Sequence, residues 1–186
     1  MRPKGLRARL GFAGWLIAAG AAAAQEPPPA DPDLPRLHRI SAEVATSAQP
    51  SSEGLAKLQL RGYRAVMSLR IEEEGALEER LVVEKLGMEF IHLPVRDIDA
   101  DAVQRFGQAL RAAPRPLLIH GDSGNRVGAL WMIERVLEGA ALGEARAEAE
   151  AIGLVDSELT AQALATLNRL RRSSASQPSG PPSDPP

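Results

Sequence analysis

The stretch Leu118-Ile119-His120-Gly121-Asp122-Ser123-Gly124-Asn125-Arg126-Val127-Gly128-Ala129-Leu130-Trp131 runs from an apolar strand through a glycine-rich turn into a helix. This junction limits the available folds more than any other part of the chain, because a strand that feeds directly into a helix is half of a parallel crossover unit. The same alternation repeats upstream. Arg39 to Ala45 reads as a first strand, and a turn follows at Gln49-Pro50. Ser51 or Ser52 then caps a helix through Gln59, with Leu55 and Leu58, and Leu60 as a further candidate, facing inward. Tyr63 to Leu69 is a second strand, and Gly75 to Leu86 a helix with Leu77, Leu81, Val82 and Leu86 at helical spacing. Met88 to Val95 is a third strand, and Asp99 or Asp101 caps a helix that carries Val103, Phe106 and Leu110 and ends before Pro114. Leu117 to His120 completes the strand set, and helical patterns over 127–137, 143–152 and 157–172 follow. The expected fold is α/β: a central, mostly parallel sheet of four to five strands with helices on both faces.

The flanks behave differently. Arg2, Lys4, Arg7 and Arg9 precede an apolar run from Leu10 to Ala24 that ends in Ala22-Ala23-Ala24, the pattern of a cleavable export signal. The run is about 15 residues long, short of the ~20 that a spanning helix needs, so no stable membrane insertion is expected after cleavage. The expected location is periplasmic or secreted, with Gln25 as the mature N-terminus. Residues 25–36 read as a proline-rich linker and 173–186 as a disordered tail, leaving one globular domain over 37–172.

Charge and composition exclude several classes of function. The four basic residues of the signal are part of a total of 22, so the remainder carries 18 Lys and Arg against 24 Asp and Glu, a formal charge of −6. That average field repels nucleic acid, and any anionic ligand must be held by a local pocket. The chain has no cysteine, which removes disulfides and thiolate chemistry. His38, His92 and His120 stand without partners at metal-binding spacing, so neither a metal centre nor another cofactor is expected.

The turn at 121–126 has the chemistry of an oxyanion cradle. Backbone N–H groups converge there, the following helix points its positive end at the turn, and Arg126 offers two parallel donors. In open sheets of this kind, ligands sit beyond the carboxyl ends of the strands.

A series of short motifs resembles the cysteine-phosphatase superfamily, and most closely the phosphatase-like family named for its fusion to beta-lactamase-hydrolase-like proteins, a relative of the dual-specificity phosphatases. The motifs are Gln49-Pro50-Ser51, Gly62-Tyr63, Ser68-Leu69-Arg70, Gly87-Met88-Glu89-Phe90-Ile91-His92-Leu93-Pro94-Val95 and Ser123 to Trp131, all in order. The resemblance covers most of 37–137 and carries two departures. Gly121 stands where that superfamily has its nucleophilic cysteine. Arg126 follows after four intervening residues, a spacing similar to that of the beta-lactamase-hydrolase-like family and of rhodaneses, where five would land on Val127. Both covalent routes, through phosphocysteine or cysteine persulfide, need the missing thiol.

Each candidate residue has a functional and a plain structural role open to it. Arg126 is either a bidentate phosphate clamp or a surface arginine, although a cation at a helix N-terminus opposes the macrodipole. Gly124 supplies a positive φ whether or not anything binds. Ser123 and Asn125 either donate to an anion or brace the turn. His120 supports the loop. Asp122 is a candidate substitute nucleophile, but its side chain should point away from the direction a residue at 121 would take. Asp97 is the candidate acid for a leaving group, with Asp99 and Asp101 as helix caps nearby. Glu72-Glu73-Glu74 and the acidic pattern from Glu144 to Glu150 read most simply as solvated faces. The expectation is a catalytically impaired phosphatase-like protein that binds phosphate, or a phosphorylated or otherwise anionic small molecule or protein, through Gly121 to Arg126. An active hydrolase using Asp122, Ser123 or water, and an interaction module with a relic loop, are the alternatives. The oligomeric state is not legible.

Overall fold

Burial on both faces is what makes the strands read as continuous apolar runs, and the computed structural model, which describes residues 31–175, builds a sheet that uses both faces. Five strands lie in the order β1-β2-β5-β3-β4: β1 (His38–Arg39), β2 (Val44–Ser47), β3 (Ala65–Ser68), β4 (Glu89–His92) and β5 (Leu117–His120). All neighbouring pairs are parallel except β1 with β2. The expected strand over 39–45 is therefore corrected to two short ones. Ser41 breaks it, its hydroxyl accepting from the Glu43 and Val44 amides, and the chain folds back on itself.

Helices α1 (Ser52–Leu60) and α2 (Ala76–Lys85) cover one face, where Leu55, Leu58 and Val83 pack on Ala45, Val66 and Leu118. Helices α3 (Ala100–Ala112), α4 (Asn125–Leu137), α5 (Leu142–Ile152) and α6 (Ser157–Ala175) build the other side, where Phe106, Leu130 and Ile133 join Met67, Leu117 and Ile119 in the larger core. The caps follow the sequence: Ser51 accepts from the Gly54 amide and Asp99 from the Ala102 amide.

The candidate inward position of Leu60 is corrected, and the helical stripe of α2 is buried only in part, through Val82 and Leu86. Leu60 is 84% exposed, and α2 turns Leu77 and Leu81 outward while Ala76, Glu79 and Val83 face the sheet. Both stripes have helical periodicity. The one carrying a carboxylate wins because Glu79 meets three polar partners, Ser68 at the end of β3, Arg70 just beyond it and His120 at the end of β5.

The expected linker is also corrected at its end. Asp31 to Arg36 form a strap across α1, with Leu34 only 1% exposed beside Leu55 and Leu58. The Ser51 amide donates to the Asp33 carbonyl and the Ala48 amide to the Pro35 carbonyl, while Lys57 pairs with Asp31 and Asp33. Residues 1–30, including the expected signal and most of the linker, and 176–186 of the expected tail lie outside the described residues. No helix among the described residues is long and apolar enough to cross a membrane.

Candidate functional site

β5 enters the sheet between β2 and β3, so the turn after His120 emerges at the centre of the carboxyl edge. In register across that edge, Ser47 pairs with His120, His120 with Ser68, and Ser68 with His92, all on the side covered by α1 and α2. This row ends the apolar sheet and begins the polar site.

The loop is bonded outward. The His120 carbonyl accepts from the Leu69 amide, the Gly121 carbonyl lies 3.4 Å from His120 Nδ1, the Asp122 carbonyl accepts from the Gln49 amide, and the Ser123 carbonyl accepts from Arg36 Nη1. By contrast, the N–H groups of residues 121–126 have no acceptor among the described residues; the first amide to find one beyond them is that of Gly128, on the Gly124 carbonyl. Gly124 has φ 86° and lies against the end of α5, so a side chain there would press on the Ile152 carbonyl.

Arg126 is held on three sides. Its Nη1 donates to the carbonyls of Leu69 (3.2 Å) and Val95 (3.0 Å), and its Nη2 lies 2.7 and 2.9 Å from the two carboxylate oxygens of Glu74. Nε makes no hydrogen bond among the described residues and faces Gly121; a Cβ built on Gly121 would sit 3.9 Å from it. Glu74 ends a short 3-10 helix, Glu72–Glu74, and also accepts from the Ile71 amide. Its expected role as part of a solvated acidic face is corrected: it anchors the loop arginine. Glu73 does stay at the surface, paired with Arg96.

Burial pushes the Glu74 carboxyl up, but hydrogen bonds from Arg126 and the Ile71 amide, with the charges of Arg126 and Arg70, hold it below the ordinary carboxylate range. A depressed folded-state pKa contributes stability that is present above the unfolded value and lost as pH falls through the folded one. The expected result is a stability gap between wild type and Glu74→Gln that is full at neutral pH and closes below the carboxylate range. Urea melts at pH 7 and at about pH 3 check this, and an unchanged gap would refute it.

His120 is wholly buried, with Nε2 2.7 Å from Glu79 Oε1, close in distance although off the hydrogen-bond axis. Glu79 Oε2 accepts from the Ser68 hydroxyl and lies 3.7 Å from Arg70 Nη1. Asn125 ties the loop to the segment before α6: its Oδ1 accepts from the Val155 and Asp156 amides, and its Nδ2 donates to the Ser123 hydroxyl. Bracing is therefore its observed role. Asp122 and Ser123 are exposed. Asp97 is exposed as well and lines a surface pocket of about 390 Å³ together with Glu72, Arg96 and Arg105; no residue of the 121–126 loop lines it. Asp101 pairs with Arg105.

Residues 36–165 match the family described as DSP-PTPase phosphatase fused to NAD+ kinase. The chain belongs to that family. Among curated relatives, this DSP-PTPase domain is 28% identical over 125 residues to a beta-lactamase hydrolase-like protein of Xylella fastidiosa strain 9a5c, a match covering 63% of this chain and 28% of that protein. The chain thus spans little more than a quarter of that relative's length. Among solved structures it is similar to TpbA of P. aeruginosa, at 25% identity and TM-score 0.57, covering 78% of this chain and 93% of that one. A further TpbA structure carries serine in place of a cysteine and holds pTyr. The core catalytic domain of a PP-IP phosphatase of S. cerevisiae, solved with citrate, shares the fold at 18% identity and TM-score 0.61, covering 76% of this chain and 94% of that one.

No site role was legible in the sequence for Glu74, Glu79, Arg70 or Arg36, although Arg70 stands in one of the quoted motifs. The available signal was position: Glu74 and Arg70 follow the strand beside β5, where the edge of the sheet faces the loop.

Proposed function

We propose that this DSP-PTPase domain is an exported pseudophosphatase that binds phosphate, or a phosphorylated or otherwise anionic small molecule or protein, in the 121–126 loop without thiol chemistry. The observation that carries the reading is the run of amides at 121–126 that find no acceptor among the described residues, beside the Nε edge of Arg126. Gly121 and Gly124 are buried and Asn125 and Arg126 half-buried, and donors in such positions are normally satisfied, so unsatisfied amides at a helix N-terminus favour an anion. The guanidinium is already oriented by Leu69, Val95 and Glu74, which lowers the ordering cost of binding. The TpbA form that holds pTyr with serine replacing a cysteine is consistent with phosphate recognition by this fold in an altered protein.

The acidic average charge assigns the grip to the loop itself rather than to a general field. Calorimetry with inorganic vanadate and phosphate tests the reading. Wild type is expected to bind in the millimolar range or tighter, and Arg126→Gln to lose at least about tenfold, the value of one charge-assisted hydrogen bond. Equal heats from the two proteins would remove the basis for the proposal.

A further inference from the structure

Arg70 is a buried cation, and two of its three nitrogens find no hydrogen-bond acceptor among the described residues. Its side chain is 7% exposed, its nearest carboxylate oxygen is Glu79 Oε2 at 3.7 Å, and its Nε and Nη1 make no hydrogen bond among the described residues. Such a group is costly to keep unless its charge is used. Its surroundings say by what. On one side Glu79 reaches Ser68 and His120, the residue that opens the loop. On the other, Arg70 Nη2 lies beside Gly75, 3.6 Å from where its Cβ would be, next to Glu74, whose carboxylate holds Arg126 at the loop's far end. Two carboxylates from one short segment thus each take one end of the loop, with Arg70 between them.

We propose that Arg70 is a positioning residue: from its burial between Glu79 and Glu74 it couples the histidine that starts the loop to the arginine that closes it. The coupling is electrostatic and works at several ångströms, which the low dielectric of the buried side of the sheet permits. It fixes His120 and Arg126 as a pair, so the span between the first loop amide and the guanidinium is set from beneath. The consequence for affinity rests on the oxyanion reading, but the coupling itself does not.

The test reads Arg126 directly. In the ligand-free protein, the Nε–H resonance of Arg126 and the ring resonances of His120 are followed by NMR in Arg70→Met, in Arg70→Lys and in Leu58→Ala, a core variant destabilised away from the loop. Arg70→Met is expected to shift both residues' signals together and to weaken vanadate binding about tenfold or more, since small misplacements of a clamp are costly. Arg70→Lys is expected to keep most of both, and Leu58→Ala to leave the signals in place. If Arg70→Met does not fold, the double variant Arg70→Met/Glu79→Gln removes both buried charges and is expected to fold while still shifting Arg126. Unmoved Arg126 and His120 signals, or equal movement in Leu58→Ala, would overturn the coupling. If wild type binds no vanadate, the oxyanion reading fails and the resonances still decide on Arg70.

Discussion

Replacing Gly121 by cysteine is expected to create a thiol-dependent phosphatase, raising turnover of an aryl phosphate by about 10²-fold or more over wild type. The backbone already admits the side chain. Gly121 is not among the glycines held at positive φ, and a Cβ there meets nothing nearer than Arg126 Nε at 3.9 Å and Val127 Cγ2 at 4.0 Å, ordinary contact distances. The sulfur would lie beside the unspent amides, at the N-terminus of α4 and next to a guanidinium. That setting lowers a thiol's pKa from its usual ~8.5. The sulfur attacks phosphorus, the aryloxide leaves, and water then hydrolyses the phosphocysteine.

A good leaving group needs no proton, so p-nitrophenyl phosphate reports on the nucleophile and cradle alone. An alkyl phosphate also requires an acid. Asp97 is exposed and makes no hydrogen bond or ion pair among the described residues, so loss of the alkyl activity alone in Gly121→Cys/Asp97→Asn would assign it. Activity should be abolished by iodoacetamide. A thiol that alkylates readily but releases no phosphate would mean that the loop no longer fits a phosphoryl group.

The second large effect is on stability. Leu34→Ala is expected to cost about 2–4 kcal/mol, because a fully buried leucine is lost between α1 and its neighbours. Gly54→Ala should cost a similar amount through the same contact, since a methyl on Gly54 would collide with the Asp33 carbonyl and lift the strap. The alanine's better helix propensity, ~1 kcal/mol, offsets only part of this. The half-exposed pairs of Lys57 with Asp31 and Asp33, at the solvent edge of the strap, add little by comparison. For a domain of this size the expected fall in Tm is roughly 6–12 °C, measured by calorimetric scanning. If Gly54→Ala melts like wild type, the strap does not carry the stability assigned to it.

How far the sequence could be read differs by region for physical reasons. The β5-turn-α4 junction was legible because a short apolar run, glycines and a helical period are all local signals, and Asp99 as a cap and Val103, Phe106 and Leu110 as a buried stripe came from the same kind of evidence. The inward face of α2 was not. Leu77 and Leu81 compete with Ala76, Glu79 and Val83 for the same periodicity, and only partners from β3, β5 and Arg70 make Glu79 the buried choice. Glu74 was hidden for a related reason: in a run of three glutamates, none differs by type, and only Glu74 meets Arg126. The strap's proline and aspartate content masked Leu34, a single residue that decides its placement. Asn125 shows the limit in the other direction, since a polar side chain inside a cradle motif is spent on the turn before α6.

The place of β5 in the strand order has a consequence for how this protein is made. β2 and β3 do not pair with each other; each pairs with a strand drawn from the sequence around residue 117. A nascent chain that has emerged only as far as α3 therefore holds two halves of a sheet with their inner edges unpaired. The last strand to arrive zips those halves together and, in the same step, delivers the loop. Closure of the sheet and placement of the 121–126 loop thus share one event, which a chain ending before β5 cannot reach.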